Sequence, residues 1–209
     1  EVGGGDFEDV ARSFLVDQGL LLDESVTVTS RLPRDERTAW SVLVTERGRI
    51  LQLLIEHLLL VLVSVGLATV LAVPAGIWGT RRPWARRVVL GAASVMQTIP
   101  SLALLAFLIS IPWIGLGARA AILALLLYAV LPILRNTVTG IESVDPAVTD
   151  AAQGLGLTRT EVLLRIQLPL AMRTILAGLR TATVIGVGVA TLAAFIGAGG
   201  LGQLIVEGL

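Results

Sequence analysis

Hydrophobic and polar positions divide the chain into two unlike parts. Between Asp6 and Gly19 the apolar residues Phe7, Val10, Phe14 and Leu15 fall at i, i+3, i+7 and i+8. That spacing predicts one face of a short helix, with Asp6 as N-cap and Gly19 as stop. Val26 to Thr29 is extended in character, and the charged, Pro-containing stretch from Arg31 to Arg37 reads as a linker. After residue 50 the pattern becomes long apolar runs. The first covers about Leu58 to Ile77 and ends at Trp78, near the ~20 residues a helix needs to cross hydrocarbon. The second covers about Val88 to Ile111, with Pro100 near its middle, and a short turn, Pro112 to Gly117, follows. The third covers Ala120 to Leu134 and is closed by Arg135. Residues 136–168 are more polar. A fourth span begins near Pro169, but Arg173 and Arg180 displace its hydrocarbon part to about Thr181 to Phe195. Ile196 to Leu209 is Gly-rich and too broken for a full span.

Composition sharpens this picture. The 209 residues are 55% hydrophobic but only 15% charged, against about a quarter charged in soluble domains. Residues 1–49 hold 10 of the 16 acids, leaving 6 for the remainder. The expected class is all-α: a polytopic membrane helix bundle behind a polar tail. All 16 basic residues are Arg, which excludes a P-loop, whose Lys meets the phosphates. Zero net charge gives no reason to expect nucleic acid as a partner. With no Cys and one His, neither a disulfide framework nor a metal cluster is expected. The first residue is Glu, and no signal peptide is visible, so the chain reads as an excerpt of a longer one.

Arginine placement orients the spans. Arg81, Arg82, Arg86 and Arg87 follow span one. Arg135, Arg159, Arg165 and Arg173 lie between spans three and four, and Arg119 alone marks the turn between spans two and three. By helix count both Arg-rich segments share a side, which is therefore cytoplasmic, and the tail is outside.

The segment 136–168 carries the clearest signals. Asp145-Pro146 is a helix start, and that helix runs to about Gln153 before Gly154 or Gly156. Thr158 and Glu161 form a capping box for a second helix, expected to continue through Leu163 and Ile166 until Pro169. The result is a helix, a Gly turn and a helix exposed to the cytoplasm. Small side chains on the first helix, Ala147, Ala151 and Ala152, leave its backbone open to a partner.

On these residues a resemblance appears. Asp150-Ala151-Ala152, then Gly156, Ile166 and Leu168-Pro169 at their spacings resemble the EAA loop of ABC importer permeases, with Asp150 in place of the usual Glu. The resemblance implies a coupling helix that docks on cytoplasmic ATPase subunits. It also implies a second permease copy beside the first, with ATP and Mg on the ATPase and no cofactor in this chain. Gln97 to Ser101, Tyr128 to Asn136 and Thr191 to Gly202 are similar to the osmoprotectant branch, whose substrates are glycine betaine, choline, carnitine and related quaternary amines. Asp6 to Leu22 resembles the C-terminal end of that branch's binding proteins. The implied organisation is the end of an extracytoplasmic binding domain (1–24), a linker (25–49) and an inner-membrane permease domain (50–209) that is incomplete at its C-terminus. A binding protein fused ahead of the permease accounts for the outside tail. Within the importer class, an amino acid such as methionine, or ergothioneine, is the alternative cargo.

Other positions invite functional readings. Pro100 deprives the Met96 carbonyl of its helical donor, and Gln97, Thr98 and Ser101 cluster at that turn, a candidate lining for the translocation path. Gly197, Gly199 and Gly202 spell a dinucleotide fingerprint, but they follow a membrane helix rather than a strand, and that reading is rejected. With Gly200 they form an outer Gly-rich turn, either re-entrant or the end of a helix. Gly178, Ala182, Gly186, Ala190, Ala194 and Ala198 recur at i+4, a stripe that serves close packing within one subunit or between two. Glu56 and His57 read as interfacial polar residues rather than ligands. An ion-coupled secondary transporter would need intramembrane carboxylates, which the span cores lack, and no residue cluster supports an intramembrane enzyme. Because Leu204, Ile205, Val206 and Leu209 have nowhere to be buried, a further span beyond Leu209 is expected.

Topology is directly testable. Reporter fusions at residues 84 and 155 should read cytoplasmic and a reporter at residue 1 external. An external reading at 84 or 155 would overturn the orientation.

Overall fold

A computed structural model describes residues 44–208. The tail helix, the extended stretch, most of the 25–49 linker and Leu209 lie outside the described residues, and the last linker residues already belong to the first long helix, which starts at Arg47. The described part is all-α, in the order α1 (Arg47–Arg81), α2 (Pro83–Thr98), α3 (Ser101–Ile109), α4 (Ala118–Glu142), α5 (Pro146–Gly154), α6 (Arg159–Val162), a π-helical turn (Leu163–Gln167), α7 (Leu168–Leu192), a 3-10 turn (Ala193–Ile196) and α8 (Gly202–Val206). Three helical stretches are long and apolar enough to cross a membrane: Arg47–Arg81, Ala118–Glu142 and Arg159–Ile196. The bent pair α2–α3 is a fourth, broken candidate.

α1 is longer than the apolar run implied. Its 35 residues span about 52 Å at 1.5 Å per residue, well beyond a ~30 Å hydrocarbon core. One stripe is buried, including Leu53, His57, Leu60, Val61, Ser64, Val65 and Ala68, at three- and four-residue spacing. The remaining faces keep Leu62, Val70 and Leu71 exposed, as lipid-facing surfaces require. Arg82 alone separates α1 from α2, and Pro83 at the first turn of α2 starts it with φ already set. The Arg81–Arg87 region is thus a one-residue turn and the head of α2, rather than a loop.

Two expectations about Pro are corrected. The second span is not one kinked helix: α2 ends at Thr98, Ile99 and Pro100 are extended, and α3 leaves at 96° to α2. Pro also bars the helical conformation to the residue before it, which is why the break falls at Ile99. Pro169, conversely, ends nothing. The helix begun at Arg159 passes through it, and the π-helical turn just before it shifts the hydrogen-bond register, with the Leu168 N–H reaching the Leu163 carbonyl. A Pro without N–H fits the first turn after such a shift.

α4 is the centre of the bundle and packs on both α1 and α7. Its contacts are close because small residues meet there. A Cβ on Gly178 of α7 would lie 2.6 Å from the Asn136 Cβ and 2.8 Å from the Pro132 carbonyl oxygen. One on Gly76 of α1 would lie 2.8 Å from the Thr137 Cβ. Ala182, Gly186 and Ala190 continue the buried stripe, with Gly186 facing Val61. The i+4 stripe therefore packs this subunit's own helices together. Ser64 and Thr137 are buried in the same interfaces and donate to the carbonyls four residues back, 2.7 Å and 2.8 Å away.

Gly178→Val should overpack the α4–α7 contact and destabilise the bundle by about 1–3 kcal/mol. Gly188→Val meets open space on the same helix and serves as the control. Thermal melting in detergent should separate the two. Equal melting temperatures would contradict the packing described.

Candidate functional site

The bundle sorts its polar features to two ends. At one end the turn between α1 and α2 meets the end of α4, where Arg86 pairs with Glu142. The same end carries α5 and α6. An open cleft of about 580 Å³ lies between them, its lining including Thr80, Arg81, Glu142, Thr149, Gln153 and Arg159. At the other end Arg49 of α1 pairs with Glu207, just past α8. Gly117, at the start of α4, comes close enough to the Gly-rich turn that an added Cβ would sit 3.9 Å from the Gly197 carbonyl oxygen.

The EAA-like segment has the local structure its residues dictate. Asp145 caps α5, its Oδ1 accepting from the Ala147 N–H at 2.8 Å. α5 ends in a Schellman turn: the Leu157 N–H reaches the Ala152 carbonyl and the Gly156 N–H the Gln153 carbonyl. Gly156 holds φ +91°, which an L side chain resists, so its duty includes making this turn. Thr158 and Glu161 form the capping box. Ala152 is buried, whereas Asp150, Ala151 and Gly156 are exposed. Ile166 and Leu168 are half-buried, and Pro169 is exposed on the shaft of α7. Only part of the sequence motif is therefore open to a partner. The most exposed apolar side chain of the segment is Leu155 at its tip, 83% exposed, with Val148 also exposed on α5.

The break at Pro100 is closed by side chains. Pro132 in α4 has no N–H, so the Tyr128 carbonyl loses its helical donor. The Gln97 amide supplies one, Nε2 to oxygen at 2.8 Å. In return the Tyr128 hydroxyl donates to the Ile99 carbonyl at the break itself. Two proline defects on two helices thus satisfy one another. Thr98 donates to its own helix, to the Val95 carbonyl, while Met96 and Ser101 are half-buried and Pro100 is exposed. Gln97 is committed to α4, and Thr98 and Pro100 are the members of the group that stay exposed.

The Gly-rich turn folds back on α1. Gly197, Gly199 and Gly200 all have positive φ. Gly202 packs so tightly that a Cβ would lie 2.0 Å from the Thr191 carbonyl oxygen. Glu56 Oε2 accepts from the Gly200 N–H at 3.3 Å, and His57 Nε2 lies 3.1 Å from the Val187 carbonyl. His57 is 2% exposed. Sequence reading had given Glu56 and His57 only an interfacial place. Their signal was the presence of a carboxylate and an imidazole at the head of an apolar span, where each needs a partner.

Comparison with known proteins gives this architecture a family. Residues 72–209 match the model of the binding-protein-dependent transport system inner membrane component. The chain belongs to that family. The permease is 46% identical over 167 residues to the glycine betaine/carnitine/choline transport system permease protein OpuCB of Bacillus subtilis, covering 80% of this chain and 76% of that one. It is 45% identical over 154 residues to the carnitine transport permease protein OpuCB of Listeria monocytogenes, covering 74% and 70%. The osmoprotectant import permease protein OsmW of Salmonella typhimurium is 42% identical over 165 residues, covering 78% and 77%. Among solved structures, an inward-facing MetNI methionine ABC transporter aligns with TM-score 0.68 over 76% of this chain and 79% of that one, at 24% identity, a likeness of fold. The permease is a multi-pass membrane transport subunit.

The reciprocal closure at the break yields a measurable coupling. Gln97→Leu or Tyr128→Phe alone should cost about 1–3 kcal/mol by stranding a buried carbonyl. A double-mutant cycle on detergent-solubilised permease should show non-additivity, since either change loosens the same break. Strict additivity would contradict the mutual arrangement.

Proposed function

We propose that this chain is the membrane-spanning subunit of an ATP-driven importer for quaternary-amine osmoprotectants of the glycine betaine, choline and carnitine class. The observation that carries the substrate class is the 46% identity to a permease named for all three compounds, spread over four-fifths of the chain. The subunit breaks no bond itself; a separate cytoplasmic ATPase, holding ATP and Mg, supplies the energy. The likeness to a methionine transporter, at 24% identity, supports the shared fold and not methionine as cargo.

The end bearing α5 is the coupling end in this reading. Here a short capped helix ends in an exposed apolar tip, Leu155. Apolar side chains exposed at the polar end of a membrane protein suit a protein partner better than water. Asp150, Ala151, Gly156 and Leu155 face that partner, while Ile166 and Leu168 are half-buried where the segment joins α7. The coupling end is cytoplasmic, in the inner membrane, and the N-terminus is outside. There it connects to an extracytoplasmic binding domain, fused ahead of residue 25. A second copy of the permease completes the pore, and the exposed flank of the Pro100 break, Thr98 and Pro100, lines the path between copies.

Reconstitution of the complete transporter tests the reading. ATP-driven uptake of labelled glycine betaine, choline and carnitine is expected, with methionine and ergothioneine excluded; the reverse selectivity would overturn the substrate class. Leu155→Asp should lower uptake by about tenfold or more, as removal of a central apolar anchor does, while membrane insertion is unchanged. Full uptake by Leu155→Asp would remove the tip from the docking surface.

A further inference from the structure

We propose that the Gly197–Gly202 turn is a mobile gate at the end opposite the coupling segment, latched to α1 by Glu56 and Arg49. The proposal rests on the transport reading above, though not on the identity of the cargo.

Polar contacts tie the turn to α1, beside the apolar packing of Ile196 and Ala198 on the core. Its Gly200 N–H donates to Glu56 Oε2 at 3.3 Å, a long bond, and Arg49 pairs with Glu207 just beyond α8. Ile205 and Val206 of α8 remain exposed, so this helix does not dock through its largest side chains. The approach to α1 requires glycine. A Cβ on Gly199 would lie 2.6 Å from Glu56 Oε2, and one on Gly200 would lie 3.1 Å from His57 Nδ1. The same glycines hold φ +85° and +83°, and Gly197 holds +70°, where glycine moves between conformations without steric penalty. The helix tightens to a 3-10 turn at Ala193–Ile196, directly before this swivel.

His57 supplies the reason for two states. Its Nε2 faces the Val187 carbonyl, which can only accept, so the proton sits on Nε2. The Thr191 hydroxyl donates to that same carbonyl. His57 Nδ1 is then an acceptor, fully buried under Gly200 and without any partner. The closed turn gains the Glu56 and Arg49 contacts but strands this nitrogen. Lifting the turn gives up those contacts and lets water reach Nδ1. Opposed terms on one small segment make an equilibrium that substrate arrival or ATP turnover can tip.

These 209 residues contain no cysteine, so a thiol introduced among them is unique within them. In the complete transporter, Arg49→Cys with Glu207→Cys, both half-exposed positions, would be joined by a short bis-methanethiosulfonate. Joining should abolish uptake, and a reductant should restore it. Undiminished uptake with the pair fully joined would overturn the gate. Ala193→Cys, 1% exposed and bonded through its carbonyl to the Ala198 N–H of the turn, provides a readout independent of cargo. Its reaction with a membrane-impermeant maleimide should accelerate about tenfold or more during ATP turnover, and also at rest in Glu56→Ala, as a minor open state becomes populated. Equal rates in all three conditions would mean a static brace. Failure of glycine betaine, choline and carnitine uptake by the unsubstituted transporter would remove the substrate class alone.

Discussion

Inside a bilayer no water satisfies a stray backbone N–H or carbonyl, and every departure from the helix must be repaired by the protein itself. This chain departs at Pro74, Pro100, Pro132, Pro169 and the Gly197–Gly202 turn, and distinctive side chains sit at several of those places. Gln97 replaces the donor that Pro132 lacks, and Tyr128 serves the carbonyl exposed by the break before Pro100. A π-helical turn carries the chain into Pro169. Glu56 meets the Gly200 N–H. The breaks are what give the subunit features other than rods.

The repairs fall into a spatial order. The Gln97–Tyr128 pair ties the α2–α3 break to the central helix α4, between the two ends of the bundle. The π-helical turn lies where α6 becomes the shaft of α7, so the two form one continuous helix. That shaft ends, 3-10 turn included, at the Gly-rich turn. α7 is in turn seated on α4 by Gly178 and on α1 by Gly186, contacts so close that helix displacement is felt by the neighbour. One helix therefore joins the end bearing α6 to the end bearing the Gly-rich turn.

Much of this was legible in the residues. Apolar run lengths gave the spans, the Asp145 cap and the Thr158/Glu161 box gave α5 and α6, and the spacing from Asp150 to Pro169 gave the family. Proline consequences were less legible. A Pro in an apolar run reads equally as a kink, a break or a first-turn residue, and the choice depends on neighbours that sequence order does not reveal. Pro100 became a 96° break, and Pro169 was absorbed. Gln97 looked like pathway chemistry because its partner, a carbonyl freed by a second Pro 35 residues away, is a tertiary fact. The small-residue stripe admitted either an internal or an intersubunit contact, until the clash distances at Gly178 and Gly186 placed α4 and α1 against it. Glu56 and His57 were undervalued because their partners are backbone atoms of α7 and its turn, which leave no mark on side-chain patterns.

In the proposed transporter the end bearing α5 meets the ATPase. The most direct measurement is site-specific photocross-linking from residue 155 in the assembled transporter, with a matched probe at residue 116 on the other end. An ATPase adduct from residue 155 and none from residue 116 is the predicted result. An ATPase adduct from residue 116, with residue 155 unreactive, would contradict it.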